Sequence, residues 1–145
     1  MSITATLDQG RAAAVAGRNA AVGGRGWVLA GRIITGFAAL FLLMDGVLRT
    51  VHFAPYVQGT VQFGYPERLA TPIGLVLVAC TLLYLLPRTA VLGAILLTGY
   101  LGGATATHVR VEDPNFLFAA TFGVLVWAGL YLRDARLRAV VSLRG

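Results

Sequence analysis

Charged side chains are scarce in this sequence. Only 12% of its 145 residues are charged, against about 25% in ordinary soluble domains, while 57% are hydrophobic. The mean hydropathy is +0.76. A chain with so little charge has too few polar side chains to cover a water-soluble globule, so the composition favours a single-domain integral membrane protein.

Lysine is absent, and all 12 basic residues are arginine, giving a net charge of +6. A basic chain raises the question of nucleic-acid binding. Here, however, the arginines fall at the ends of apolar segments, which is where the positive-inside rule expects them in a membrane protein. We therefore expect the lipid bilayer as partner and no nucleic acid.

Motifs for redox, metal or phosphate chemistry are also absent. The single cysteine, Cys80, lies inside an apolar run and allows neither an intrachain disulfide nor a C-x-x-C centre, so we expect a small buried hydrophobe. The H-x-x-x-H and E-x-x-H spacings that would predict a metal site do not occur. No phosphate-binding glycine loop, nucleophile elbow or haem attachment motif occurs either, so we expect no cofactor ligated by the chain itself.

Four apolar segments are bounded by charged residues, and they cover residues 32–53, 69–86, 89–109 and 114–132. About 20 helical residues reach roughly 30 Å, the thickness of the hydrocarbon core. The connections at 87–88 and 110–113 are too short for anything but antiparallel neighbours. The sequence therefore predicts an all-α, up-down-up-down four-helix membrane bundle. Pro66 or Pro72 would open the second helix, and Asp113-Pro114 would cap and open the fourth.

Three regions follow from this pattern. Residues 1–31 form an Ala/Gly/Arg-rich tail, residues 32–133 the transmembrane domain, and residues 134–145 a short basic tail. In the first tail a Gly-Arg pair recurs every seven residues, which in a helix keeps the arginines near one side. The tail is thus either disordered or a helix on the membrane surface. The repeated arginines are Arg11, Arg18, Arg25 and Arg32.

The distribution of arginine predicts the orientation. Nine arginines lie on the side that holds both termini and the 87–88 turn, and three lie on the opposite side. The positive-inside rule then puts both termini in the cytoplasm. The aromatic residues expected near the inner boundary are Trp27, Tyr84, Trp127 and Tyr131.

Small residues predict how the helices pack. Gly99 and Gly103 form a G-x-x-x-G pattern, and Gly102 with Ala106 repeats the spacing. Such faces let helix backbones approach closely in lipid. We therefore expect the third helix to be central, with the first or fourth helix against its glycines.

Ionisable residues concentrate at the outer ends of the predicted helices. Asp45, Arg49 and His52 follow at spacings of four and three, which would place them on one face of the first helix. Because ionisable groups are costly within a membrane, their recurrence predicts a polar pocket at the outer leaflet, roofed by the loop at 54–62. The alternative is a set of interface residues and helix caps. The candidate residues are Asp45, Arg49, His52, His108, Arg110 and Asp113.

One run carries a family resemblance. The sequence TGYLGGATATHVR at 98–110, followed by Glu112-Asp113-Pro114, resembles the DoxX-like family, as do Asp45-Gly46 and Gly64-Tyr65-Pro66. The resemblance covers about residues 31–133. It implies a four-helix protein of the bacterial cytoplasmic (inner) membrane. The wider DoxX/DoxD group is named from a membrane subunit of a thiosulfate:quinone oxidoreductase, and other relatives are proposed to sit in membrane redox complexes.

Three functions follow as hypotheses, and the sequence decides neither for nor against an enzyme. The first is an accessory subunit of a membrane redox or quinone-linked assembly, binding a quinone or isoprenoid, a membrane or periplasmic redox partner protein, or a second copy of itself. The second is a cofactor-free membrane enzyme in which Asp45 and His108 perform acid–base chemistry on a lipophilic substrate. The third is a structural or small-solute-handling bundle without chemistry. The resemblance supplies no catalytic residues.

Overall fold

The structure, a computed structural model, describes the backbone of residues 3–141 and the side-chain surroundings of residues 24–140. This part of the chain contains α-helices and no strand. A 3₁₀ turn, Glu67–Leu69, leads into the third helix. The helices are α1 (Ile3–Thr50), α2 (Ala54–Gln62), α3 (Ala70–Leu85), α4 (Ala90–Arg110), α5 (Phe116–Arg133) and α6 (Ala135–Val141).

Four of these helices are long and apolar enough to cross a membrane. They are Gly24–Thr50 of α1, Glu67–Leu85 including α3, then α4 and α5. Each spanning helix packs against two neighbours, in the cyclic order α1, α3, α4, α5 and back to α1. The predicted all-α, up-down-up-down membrane bundle is confirmed. The short connections at 86–89 and 111–115 leave no length for a crossover, so they make α3, α4 and α5 antiparallel neighbours in chain order.

The two ends of the bundle differ in charge. Gly31 of α1 lies against the backbone of Arg133 and the side chain of Leu132, so the first span begins where the fourth ends. We call this end of the bundle the basic end. The opposite end, where α1 and α4 stop, is the polar end. The expectations for the tails at 1–31 and 134–145 stay predictions, because the side chains before Gly24 and after 140 lie outside the described residues.

Several boundaries differ from the sequence prediction. The segment at 54–62, predicted as a loop, is the helix α2, which has a proline in its first turn. The fourth span, α5, begins at Phe116 rather than at Pro114, and the residue at its N-cap is Asn115. Neither Pro66 nor Pro72 holds the first position of α3, because Pro66 precedes the 3₁₀ turn and α3 begins at Ala70.

The predicted central position of the third span is wrong. A Cβ atom built at Gly99, Gly102 or Gly103 would meet no other residue within 4 Å, so no helix packs on these glycines. Close approaches between helices lie elsewhere, and one of them joins α1 and α3. There a Cβ at Gly74 would lie 2.5 Å from the Gly46 carbonyl oxygen. Backbone contact at this crossing requires glycine, because any side chain would separate the helices.

Tyr84, the last residue but one of α3, is a core residue close to the basic end. Its side chain is fully buried among the helices. The hydroxyl donates to the Val126 carbonyl oxygen at 2.9 Å and lies 3.1 Å from Thr35 Oγ1. These bonds join α3 to α5 and α1 in a medium without water, where an unpaired hydroxyl would be costly. Cys80 is buried as predicted.

Candidate functional site

An ion pair near the end of α1 forms the base of the site. Arg49 Nε lies 3.1 Å from Asp45 Oδ2 and 3.3 Å from Oδ1, and Arg49 Nη2 lies 3.2 Å from Oδ1. Four residues of helix bring the two side chains together on one face, as predicted. The side chains keep only 21% (Arg49) and 18% (Asp45) of their surface exposed. The charges are therefore largely removed from water and compensate each other.

Arg49 also holds α2 onto the bundle. Its Nη1 donates to Thr60 Oγ1 at 2.9 Å, and Thr60 is 2% exposed. A guanidinium has five N–H groups, and these contacts use three of them. Two N–H groups are left for a ligand. The side chain is thus anchored at both edges before any ligand arrives.

A second pair comes from α4 and the turn after it. His108 Nδ1 lies 3.0 Å from Asp113 Oδ2. Asp113 Oδ1 accepts from the Asn115 backbone N–H at 2.9 Å and from its side-chain amide at 2.7 Å. The Asn115 backbone bond, followed by that with His108, holds the pKa of Asp113 below its usual value. With Nδ1 directed to Asp113, Nε2 is the histidine nitrogen left for a ligand.

The two pairs border a common cavity, which we call the core cavity. Its volume is about 140 Å³. Asp45 and Arg49 line one wall and His108 another, and Tyr100 of α4 lies beside them. The remaining walls are mostly apolar, and the aromatic ones are Phe41, Phe118 and Phe122, which contact one another.

A larger side cavity adjoins the core cavity at Arg49, Tyr100, Ala104 and His108, which line both. Its volume is about 330 Å³, and it lies between α3 and α4. Gly99 and Gly103 form part of its wall, and Phe63 and Tyr65 border it near α2. The glycines thus provide open space beside a polar centre instead of a helix contact.

Two candidates lie outside this arrangement. His52 is not on the face of Asp45 and Arg49, because α1 ends at Thr50 and His52 adopts a left-handed conformation with φ of 58°. Its Nε2 lies 2.7 Å from Thr71 Oγ1, and it borders a separate cleft against α2. Arg110 also does not reach the core cavity. Its Nη2 donates to the Phe63 carbonyl oxygen at 2.6 Å.

Arg110 nonetheless positions part of the site. By bonding the Phe63 carbonyl it fixes the segment that carries Phe63 and Tyr65 over the side cavity. Tyr65 Oη lies 3.1 Å from Thr107 Oγ1, a second tie between this segment and α4. The Phe63 ring packs edge-on against His108 at 4.4 Å between centroids.

Tyr100 and Thr60 are site residues that the sequence analysis missed. Tyr100 lies eight residues before His108, so both fall near one face of α4, and this spacing could have indicated it. Thr60 had no signal, because its role depends on α2 folding back onto Arg49. Among side chains 24–140, no group of three histidine, cysteine or carboxylate residues converges as metal ligands would. The expected absence of a metal stays a prediction.

Comparison with known proteins identifies the family. The model of the DoxX-like family matches residues 33–129. This range covers the candidate site and the four spans, except for the first residues of the first span and the last residues of the fourth. The chain belongs to the DoxX-like family. No curated protein and no solved structure matched the chain.

The site of this DoxX-like protein suits an uncharged ligand with polar atoms on a planar ring. Of the side chains that line the core cavity, Asp45 and Arg49 form an ion pair and compensate each other, so they offer no net charge to attract an ion. Arg49 and Tyr100 can donate hydrogen bonds, and the Nε2 atom of His108 is free to form one more. Aromatic walls would contact the faces of a ring.

Proposed function

We propose that this DoxX-like protein is an accessory membrane subunit of a redox assembly and binds the head group of a quinone or related isoprenoid in the core cavity. The observation that carries the proposal is the convergence of Arg49, Tyr100 and His108 on one cavity with aromatic walls. A bound quinone would supply reversible two-electron, two-proton chemistry that no side chain of the site offers.

The size of the two cavities supports a ring with a substituent. Cavities of about 150 Å³ with apolar walls accommodate a benzene ring. The core cavity, at about 140 Å³, would hold one six-membered ring. The side cavity, at about 330 Å³, offers the adjoining space that ring substituents and the start of an isoprenoid chain would need.

The polar groups would orient and protonate such a head group. The two N–H groups of Arg49 not used by Asp45 or Thr60 would bind a ring oxygen. The Tyr100 hydroxyl would donate a second hydrogen bond. His108, oriented by Asp113, would hold a proton at Nε2 close to the ring. These residues come from α1 and α4, which lie diagonally across the bundle, so their side chains would contact the ring from two sides.

A matched pair of glycine variants tests the proposal. Gly103 lines the side cavity and Gly102 lines the groove between α4 and α5, and a Cβ atom at either meets no other residue within 4 Å. Gly103→Leu should fill the side cavity and lower the co-purifying quinone at least tenfold. Gly102→Leu has the same gain in helix propensity and should leave the quinone content unchanged.

The measurement is extraction and mass spectrometry of quinones and isoprenoids from the protein purified in mild detergent. Thermal unfolding of both variants checks that the bundle is intact. Absence of any isoprenoid from the wild-type protein would contradict the proposal. So would equal loss of quinone in both variants, which would indicate binding outside the polar cavities.

The charge of the two ends supports an orientation. The basic end carries six arginines among the described side chains, and the polar end carries three. We infer from the positive-inside rule that both termini lie in the cytoplasm of a bacterial cell and that the polar end faces the periplasm. The side cavity would then be near the surface where a periplasmic redox partner protein could dock. The six are Arg25, Arg32, Arg88, Arg133, Arg136 and Arg138.

A further inference from the structure

A further cavity with charged walls lies at the basic end, the opposite end of the bundle from the candidate site. Its volume is about 300 Å³. Arg32 comes from α1, and Arg133 and Asp134 come from the end of α5. Pro87, Ala90 and Leu130 form the apolar part of the wall. Three spanning helices and the 87–88 turn thus converge around two guanidinium groups.

Arg133 is held in place by Tyr84. The Arg133 guanidinium carbon lies 4.9 Å from the centroid of the Tyr84 ring, and Nη2 donates to the Tyr84 carbonyl oxygen at 2.7 Å. Because Tyr84 is fully buried, its ring provides a fixed surface for this cation–π contact. The close packing of Gly31 on the Arg133 backbone brings the neighbouring Arg32 to the same cavity.

The positive charge of this cavity is only partly compensated. Neither Arg32 nor Arg133 forms an ion pair with any carboxylate of residues 24–140. Asp134 lines the cavity, but its Oδ1 accepts from the backbone N–H groups of Arg136 and Leu137 at the start of α6. Asp134 is also the one carboxylate at the basic end among these described residues. The surroundings therefore favour an anionic ligand.

We propose that this cavity binds the phosphate group of an anionic phospholipid. Two guanidinium groups match the oxygens of a phosphate better than point charges would. The cavity lies at the ends of the spanning helices, which is the depth of the lipid head groups. Its apolar wall of Pro87, Ala90 and Leu130 suits the glycerol and the first methylene groups of a lipid and offers nothing to a soluble ion. Basic pockets between spanning helices bind anionic head groups in this way.

Native mass spectrometry of the full chain tests the proposal. The protein, delipidated in mild detergent, is titrated with phosphatidylglycerol or with phosphatidylcholine of the same acyl chains. Phosphatidylglycerol should bind more tightly. Arg32→Gln should weaken its binding about five-fold, which corresponds to ~1 kcal/mol for one arginine near the membrane surface. Arg133→Gln should weaken it at least as much.

Arg68→Gln is the matched control. Arg68 is an exposed arginine at the polar end, and its side chain has no hydrogen bond to another described residue, so its loss should leave phosphatidylglycerol binding unchanged. Inorganic phosphate at millimolar concentration should not displace the lipid. The proposal is overturned if both lipids bind alike, if Arg68→Gln weakens binding as much as Arg32→Gln, or if inorganic phosphate displaces the lipid completely. Should Arg133→Gln fail to fold, Arg32→Gln decides alone, since Arg32 is exposed.

Discussion

The stability of the bundle should depend on the Asp45–Arg49 pair as a unit. Asp45→Asn leaves the Arg49 guanidinium without its counter-charge, and Arg49→Met leaves the Asp45 carboxylate alone. Arg49→Met removes all three N···O contacts of 3.1–3.3 Å, whereas Asp45→Asn keeps one acceptor oxygen but loses the negative charge and the other oxygen's contact. Since the two side chains keep about a fifth of their surface exposed, water can replace only part of this interaction.

The magnitude follows from the degree of burial. Breaking a buried ion pair by removing one partner costs about 3–5 kcal/mol, whereas an exposed pair contributes under ~1 kcal/mol. At the burial seen here, we expect each single substitution to lower the free energy of unfolding by about 3 kcal/mol. Arg49→Met additionally loses the bond to Thr60 Oγ1, worth about 1 kcal/mol.

The double variant Asp45→Asn/Arg49→Met should be much less damaging than the sum of the single ones. With both charges gone, the remaining groups are neutral, and replacing a buried pair by neutral residues is often without cost. We expect the double variant to lose about 2 kcal/mol, against about 7 kcal/mol for the two single variants together, so the coupling energy should be about 5 kcal/mol.

The assay is unfolding in mixed micelles of a mild and a denaturing detergent, followed by tryptophan fluorescence. Arg68→Met, an exposed arginine at the same end, serves as control and should change stability by under ~0.5 kcal/mol. Single substitutions costing under ~1 kcal/mol, or a double variant equal to the sum of the singles, would refute the reasoning. The pair would then behave as a hydrated surface pair.

Two further predictions concern packing and orientation. Gly93→Ala should destabilise the bundle by about 1–3 kcal/mol in the same assay, because a Cβ would collide with the Tyr84 backbone. Gly99→Ala, the control, should be neutral or stabilising. Equal effects of the two substitutions would show that α3 and α4 are loosely packed. A cysteine introduced at Gln58 should react with a membrane-impermeant maleimide in intact cells, and one introduced at Arg136 should react only after lysis. The native Cys80 should not interfere, because it is buried. The reverse pattern would show that the termini face outward.

The four spans could be predicted because the physical requirement is local. A helix in lipid must satisfy its own backbone hydrogen bonds and present about 20 apolar residues, and both conditions appear in the sequence itself. The third segment, predicted at 89–109, is observed as Ala90–Arg110. The Asp45–Arg49 contact was predictable for the same reason, since four helical residues separate the two side chains.

The errors have a common origin in packing. Gly99 and Gly103 have the spacing of a helix contact, yet a small residue is equally suited to lining a cavity, and the sequence does not distinguish the two. The sequence predicts His52 on the same face of the first helix as Asp45 because nothing in it indicates that the helix stops, whereas α1 ends at Thr50. The fold of α2 onto Arg49 involves residues eleven positions apart and has no local signal.

The sequence alone determined the membrane class, the number and order of the spans and the charge of the two ends, because the bilayer selects residues one by one according to their polarity. Tertiary structure decided which polar residues share a cavity. Tyr100 and His108 face Asp45 and Arg49 only because α1 and α4 lie diagonally across the bundle, with Gly99 and Gly103 of α4 left open. That arrangement depends on the shapes of many side chains at once, since close packing and not polarity selects the neighbours of a helix in lipid.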